Sequence, residues 1–211
     1  MAFSSLAEID AYMKTNKCEF WEAVIREEAR DSQQPEMDIV NRMTQMYRSM
    51  KEADEAYDDS LTSRSGLSGK NGKKMADYAA THKCMCGKFG GAVMARAIKM
   101  AESNACMKRI VAAPTAGSCG VVPAILITYE RMTNTSENDM VKALFVAAGI
   151  GDVIARRASI SGARGGCQAE IGASSAMAAG ALAWLKSGSS HLITQAAAMA
   201  LKSLLGLVCD P

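Results

Sequence analysis

Four segments gather the residues that could do chemistry: 63–72, 113–123, 159–168 and 206–211. Each is short, contains glycine and is rich in small residues. The first three can present Ser or Thr hydroxyls together with backbone N–H groups, a donor set that receives an anion at the start of a helix. Loops of this kind on a helical frame commonly carry binding groups. Glycine and serine are also plain turn residues, so one such loop taken alone reads either way. Cys167 stands in Gly165-Gly166-Cys167-Gln168-Ala169-Glu170, where flexible glycines give way to a helix. A thiolate there gains from the positive end of the helix dipole, which suits a metal ligand. A nucleophilic role would need a base, and the two histidines, His82 and His191, both lie outside the Gly-rich loops. Each reads first as a packed or surface residue. Cys209, in Leu207-Val208-Cys209-Asp210-Pro211, reads either as a ligand or as a small buried hydrophobe.

Two familiar patterns fail on count. Gly66 and Gly72-Lys73 suggest a phosphate-binding loop, but five residues separate the glycines instead of four, and Lys74 occupies the place of the magnesium-binding Ser or Thr. Nucleotide binding there is rejected. Cys84-Met85-Cys86 is a close pair with no second pair at zinc spacing, so no zinc site is expected. Cys18 and Cys106 read as helix residues. Seven cysteines without an even framework are expected as free thiols or metal ligands in a reducing compartment. Residues 1–10 carry acids and no basic region ahead of an apolar run, so no signal peptide is expected and the location is read as cytoplasmic.

The elements that must position these loops are helices. Four prolines in 211 residues, and Ala and Met where strand proteins use Val, Ile and aromatics, give an all-α expectation. Val40, Met43, Met46 or Tyr47, Met50, Ala53 and Tyr57 recur every three or four residues and place a helix from about 34–38 to 57–60, with a shorter one over 19–29 before it. Further helices are expected over 74–81, 89–104, 121–132, 137–158, 168–186 and 190–205. In the last pair, Ala169, Ala173, Ala176, Ala179, Gly180 and Ala183 let a neighbouring backbone approach closely, so these two helices are expected to be central. Residues 1–60 are read as an acidic helical cap and 61–211 as the functional helical domain, together one compact unit.

Charge and composition remove other classes. Residues 1–60 are net −7 and 61–211 net +9. The basic residues are scattered and aromatics make up only 5%, which fits a small carboxylate substrate or a partner chain better than nucleic acid. The uncharged stretches 171–185 and 187–201 run 15 residues each, short of the roughly 20 a bilayer span requires, so no membrane insertion is expected.

The ordered motifs resemble a known family. Arg109-Ile-Val-Ala-Ala-Pro-Thr-Ala-Gly-Ser-Cys-Gly-Val-Val-Pro123, then Ser161-Gly-Ala-Arg-Gly-Gly-Cys-Gln-Ala-Glu-Ile-Gly172, then Leu205-Gly-Leu-Val-Cys-Asp-Pro211 closely resemble the α chain, or catalytic domain, of iron–sulfur-dependent L-serine dehydratase. Ser63-Arg-Ser-Gly-Leu-Ser-Gly69 with Gly72 and Lys73, and Ala101-Glu-Ser-Asn-Ala-Cys-Met107, look like further segments in order. The resemblance covers most of 60–211. It implies conversion of L-serine to pyruvate and ammonia with a [4Fe–4S] cluster as Lewis acid and no pyridoxal phosphate. Cys167 and Cys209 would be two cluster ligands. Ser63, Ser65, Thr115, Gly117, Ser118 and Ser161 would supply donors near the substrate carboxylate or the cluster, and no residue is assigned as catalytic base. A β chain or β domain is implied as partner, in a homo- or hetero-oligomer.

The chain also departs from the family pattern. The family's third ligand cysteine follows the Cys-Asp-Pro segment, and this sequence stops at Pro211, so the third ligand is expected from another chain or from Cys84, Cys86 or Cys119. Arg164 stands at a position associated with an acidic residue. Two thiolates rarely hold a cubane, so the 211-residue form is expected to hold little stable cluster and to be weakly active. The competing reading is a helical interaction module that keeps the scaffold without a complete site. A pyridoxal-dependent dehydratase would need a Schiff-base lysine on an α/β frame, and the strand content is too low for one.

Overall fold

The computed structural model describes residues 3–81 and 83–205, and the described residues form nine helices and no strand. The expected all-α class holds. The helices are α1 (Leu6–Asn16), α2 (Phe20–Ser32), α3 (Glu36–Glu55), α4 (Asn71–Ala79), α5 (Gly87–Ala105), α6 (Val121–Thr133), α7 (Glu137–Arg157), α8 (Gly162–Ser187) and α9 (Ser190–Lys202). The chain divides into two units, residues 3–47 with 137–205, and residues 48–136. Residues 1–60, expected as one cap, therefore contribute to both, because α3 continues without a break past residue 47.

Local signals explain most boundaries. Ser5 caps α1 by accepting from the Glu8 N–H at 3.2 Å, and Glu19 with Glu22 forms the capping box of α2. Lys17, Gln33 and Asn134 end α1, α2 and α6 in the left-handed conformation. Cys18 and Cys106, expected inside helices, instead lie just beyond the ends of α1 and α5. α1 had no separate signal in the hydrophobic pattern, since Ile9 is its one buried residue.

In the first unit α7 packs on α8; Phe145, Val146 and Ile150 are buried on α7, and Ala173, Ala176, Met177 and Ala181 on α8. Gly180 lets the two backbones close in: a Cβ built there would fall 2.1 Å from Ile150 Cδ1. The small-residue expectation for α8 thus has a specific partner. Polar ties join distant segments of this unit, with Trp184 Nε1 donating to Glu19 Oε2 at 3.1 Å and Ser190 Oγ donating to Asp10 Oδ1 at 2.6 Å. On α3 the buried stripe runs through Tyr47, which is fully buried, while Met46 is exposed.

In the second unit Ala53, Met100 and Cys119 form a buried cluster with Ile110 packed on it. Beside it Asp54 takes Arg96 Nε at 3.1 Å and Arg131 at 3.4 Å, and Arg96 Nη1 donates to the buried Thr128 hydroxyl at 2.9 Å. The sequence holds an uncharged run of 20 residues, 110–129, but its first eleven are loop and α6 begins only at Val121. No described helix is long and apolar enough to cross a membrane.

Candidate functional site

The expected substrate loop of the second unit occupies residues 56–70, between α3 and α4. It closes on itself. Ser63 N–H donates to the Ser68 carbonyl at 2.8 Å, Ser68 N–H donates to Ser63 Oγ at 3.1 Å, and the Ser63 and Ser65 hydroxyls stand 3.1 Å apart. The two strands of the loop meet where Gly69, at φ +143°, lies against Leu61; a Cβ at Gly69 would be 2.6 Å from the Leu61 carbonyl oxygen. Only glycine fits such a position without strain.

Glu102 fastens this loop to α5. Its buried carboxylate accepts from the backbone N–H of Asn71 at 2.7 Å and of Gly72 at 3.0 Å, the first two residues of α4, and from the Tyr57 hydroxyl at 2.8 Å. A carboxylate at these free N–H groups complements the positive end of the α4 dipole. Burial, followed by the bond to Glu102, raises the Tyr57 hydroxyl to a pKa of about 12, so it remains a donor across the neutral and mildly alkaline range. The Lys99 ammonium sits over the Tyr57 ring at 5.2 Å.

The 113–118 segment forms the second expected cluster. Thr115 Oγ1 and Ser118 Oγ are 3.1 Å apart, and Ser118 Oγ also donates toward the Ala113 and Thr115 carbonyls at 3.4 Å. Ser118 is 1% exposed, so its hydroxyl is used inside the turn, whereas Thr115 is partly accessible and Gly117 exposed. Asn104 Nδ2 donates to the Ala116 carbonyl at 3.1 Å. The end of α5 therefore holds both loops, one through Glu102 and the other through Asn104. The sequence alone assigns Glu102 and Asn104 no role; the available signal is the polar Glu-Ser-Asn run in the last turn of α5.

In the first unit, Ser161 and Cys167 flank the start of α8. Ser161 occupies the N-cap without a side-chain capping bond, and its carbonyl accepts from Arg164 and Gly165 N–H at 3.1 and 2.9 Å. The helix then breaks at Gly166, whose φ of 70° and ψ of −174° are open only to glycine, and Cys167 is the first residue beyond the break. The expected change from flexible glycines to helix falls at this residue. The Cys167 side chain is exposed.

The remaining thiols differ sharply. Cys119 is 1% exposed, its Sγ lies 4.0 Å from the Met100 carbonyl, and burial pushes the thiol to a pKa of about 11. It is a core hydrophobe, and its burial makes it a poor candidate for the third ligand. Cys18 is also shifted upward by burial. Cys86 is exposed and Cys84 partly so. Cys209 and His82 lie outside the described residues. Among the described residues no three His, Cys, Asp or Glu side chains converge on one metal position. The accessible Cys167 thiol at a helix start is the donor type that an iron–sulfur cluster takes, and it fits as one ligand of a set.

A cleft of about 590 Å³ in the second unit is lined by Asp54, Ala79, Lys88, Arg96, Lys99 and Arg131 among others, and by none of the residues expected from the sequence to meet substrate.

Comparison with known proteins completes the description. A family model for the serine dehydratase alpha chain matches residues 15–211. The chain is 35% identical over 209 residues to a probable L-serine dehydratase alpha chain of Bacillus subtilis (strain 168), a match covering 99% of this chain and 70% of that one. It is 42% identical over 139 residues to the L-serine dehydratase alpha chain of Peptoniphilus asaccharolyticus, covering 66% and 48%. It is 44% identical over 116 residues to L-serine dehydratase 1 of Escherichia coli (strain K12), covering 54% of this chain and 26% of that protein. The matches thus span most of the first relative, about half of the second and about a quarter of the third.

Proposed function

Since the chain belongs to the serine dehydratase alpha chain family, we propose that it is the α chain of an L-serine dehydratase, a lyase that removes water from L-serine and yields pyruvate and ammonia with a β chain or β domain as partner. The reading assigns Cys167 and Cys209 as two thiolate ligands of a [4Fe–4S] cluster, with a third donor from another chain or from the accessible pair Cys84 and Cys86. When bound, the cluster supplies a Lewis-acidic iron for the substrate hydroxyl, which is otherwise a poor leaving group.

The protein's own groups have separate tasks in this reading. The paired hydroxyls of Ser63 and Ser65, with Thr115 and the backbone at Gly117, receive the carboxylate of L-serine. Ser118 holds the turn that presents Thr115, and Ser161 contributes beside the cysteine segment. Departure of the α-proton and hydroxide leaves aminoacrylate, which tautomerises to the imine and takes up water to release ammonia and pyruvate.

The observation that carries the reading is the placement of Cys167, exposed and first after the glycine break of α8. A thiolate there is favoured by the helix dipole, whereas the buried Cys119 is disfavoured as an anion. Anaerobic reconstitution with iron and sulfide in the presence of a β chain is the test. Wild type is expected to turn brown and release pyruvate from L-serine, Cys167→Ser to lose iron and activity, and Cys119→Ser to keep its iron. Colourless, inert wild-type complex, or Cys167→Ser with wild-type iron content, overturns the proposal. Residues 1–211 without a further thiolate donor are expected to hold fewer than about four irons per chain.

A further inference from the structure

One carboxylate holds both ends of the loop that carries Ser63 and Ser65. Tyr57 lies at the start of the loop and Asn71 and Gly72 follow its end, and all three donate to Glu102. The start of α4 lies tight on α5, since a Cβ at Gly72 would be 2.6 Å from Lys99 Cγ, one helical turn before Glu102. From these contacts we infer that Glu102 is a positioning residue for substrate binding, with Tyr57 as its partner: it sets the separation and orientation of the Ser63 and Ser65 hydroxyls toward the carboxylate of an α-hydroxymethyl amino acid. The inference rests on the reading of the loop as the substrate-carboxylate site.

The chemistry requires a group that only accepts. Three donors point at the two oxygens of Glu102, and it is 4% exposed, so water cannot readily replace a lost bond. An amide in its place turns one acceptor into a donor facing a donor. In either orientation of the amide the start of α4 loses an acceptor, for Asn71 or for Gly72, while the hydrophobic packing of α5 through Met100 is untouched. The Ser63–Ser65 pair then samples several geometries, and the cost falls on substrate binding.

Glu102→Gln and Tyr57→Phe would be measured in the complex reconstituted with a β chain, alongside hydrogen exchange of the 58–74 region in the same samples. Glu102→Gln is expected to raise KM for L-serine about tenfold with kcat within about twofold, and Tyr57→Phe to raise it about threefold. Exchange at Asn71 and Gly72 should accelerate at least about tenfold in Glu102→Gln, with α6 exchange unchanged. KM unchanged while thermal stability or iron content drops would show a structural role alone and overturn the inference. Unchanged exchange at Asn71 and Gly72 overturns it as well, even if the protein is inert, whereas wild type that makes no pyruvate while this exchange accelerates removes the dehydratase reading and with it the binding role.

Discussion

The Tyr57 hydroxyl donates to Glu102 Oε2 over 2.8 Å and 45 residues of chain, and it ties the start of the serine loop to a buried acid on α5. Burial and this bond both favour the protonated phenol, so the folded pKa of about 12 exceeds the ordinary value near 10. The contribution is fully present below pH 10 and is lost as pH rises from 10 to 12. The difference in unfolding free energy between wild type and Tyr57→Phe is expected to shrink across that window, by on the order of 1 kcal/mol after allowing for partial exposure. Urea titrations at pH 8, 10 and 12 measure it, and a difference constant with pH refutes the assignment.

Gly166 adopts a backbone conformation that side chains other than hydrogen rarely reach. Gly166→Ala is expected to cost about 1–3 kcal/mol, or to straighten the start of α8 and withdraw Cys167 from its position as the first residue of a helical segment. Denaturant midpoints and the iron content of the reconstituted complex report these two outcomes. Wild-type values in both would show that the break is not needed.

Gly180 and Ile150 fill one space between α8 and α7. Gly180→Ala should destabilise by about 1–3 kcal/mol through overpacking, and Ile150→Val in the same chain should return part of that loss because it removes the Cδ1 atom in the way. Additive effects of the two substitutions in thermal unfolding would contradict the contact.

Alkylation should separate the thiols by burial and acidity. Under native conditions Cys86 and Cys167 are expected to be carboxymethylated first and Cys119 last, since Cys119 is both inaccessible and held protonated to about pH 11. Peptide mass spectrometry over time gives the order. Early labelling of Cys119 in folded protein would remove it from the core.

Much of the frame could be read along the chain because its signals are local. α7 begins at Glu137, α6 at Val121 and α9 at Ser190, each where the sequence placed a helix start from spacing and turn residues within a few positions. The helix α1 escaped because a single buried residue leaves no periodic stripe. Boundaries drifted where a glycine segment folds back into helix, as in residues 162–165, whose helical turn precedes the expected start at 168.

The sequence by itself determined the helical class, the glycine break before Cys167 and the hydroxyl-bearing loops, because propensity, periodicity and left-handed glycine are properties of neighbouring residues. Tertiary structure alone decided that Glu102 secures the serine loop, that Asn104 secures the next one, and that Cys119 is core while Cys167 is accessible. These follow from which side chains meet across 12 to 45 residues and from how completely water is excluded around them, and no spacing along one chain encodes either.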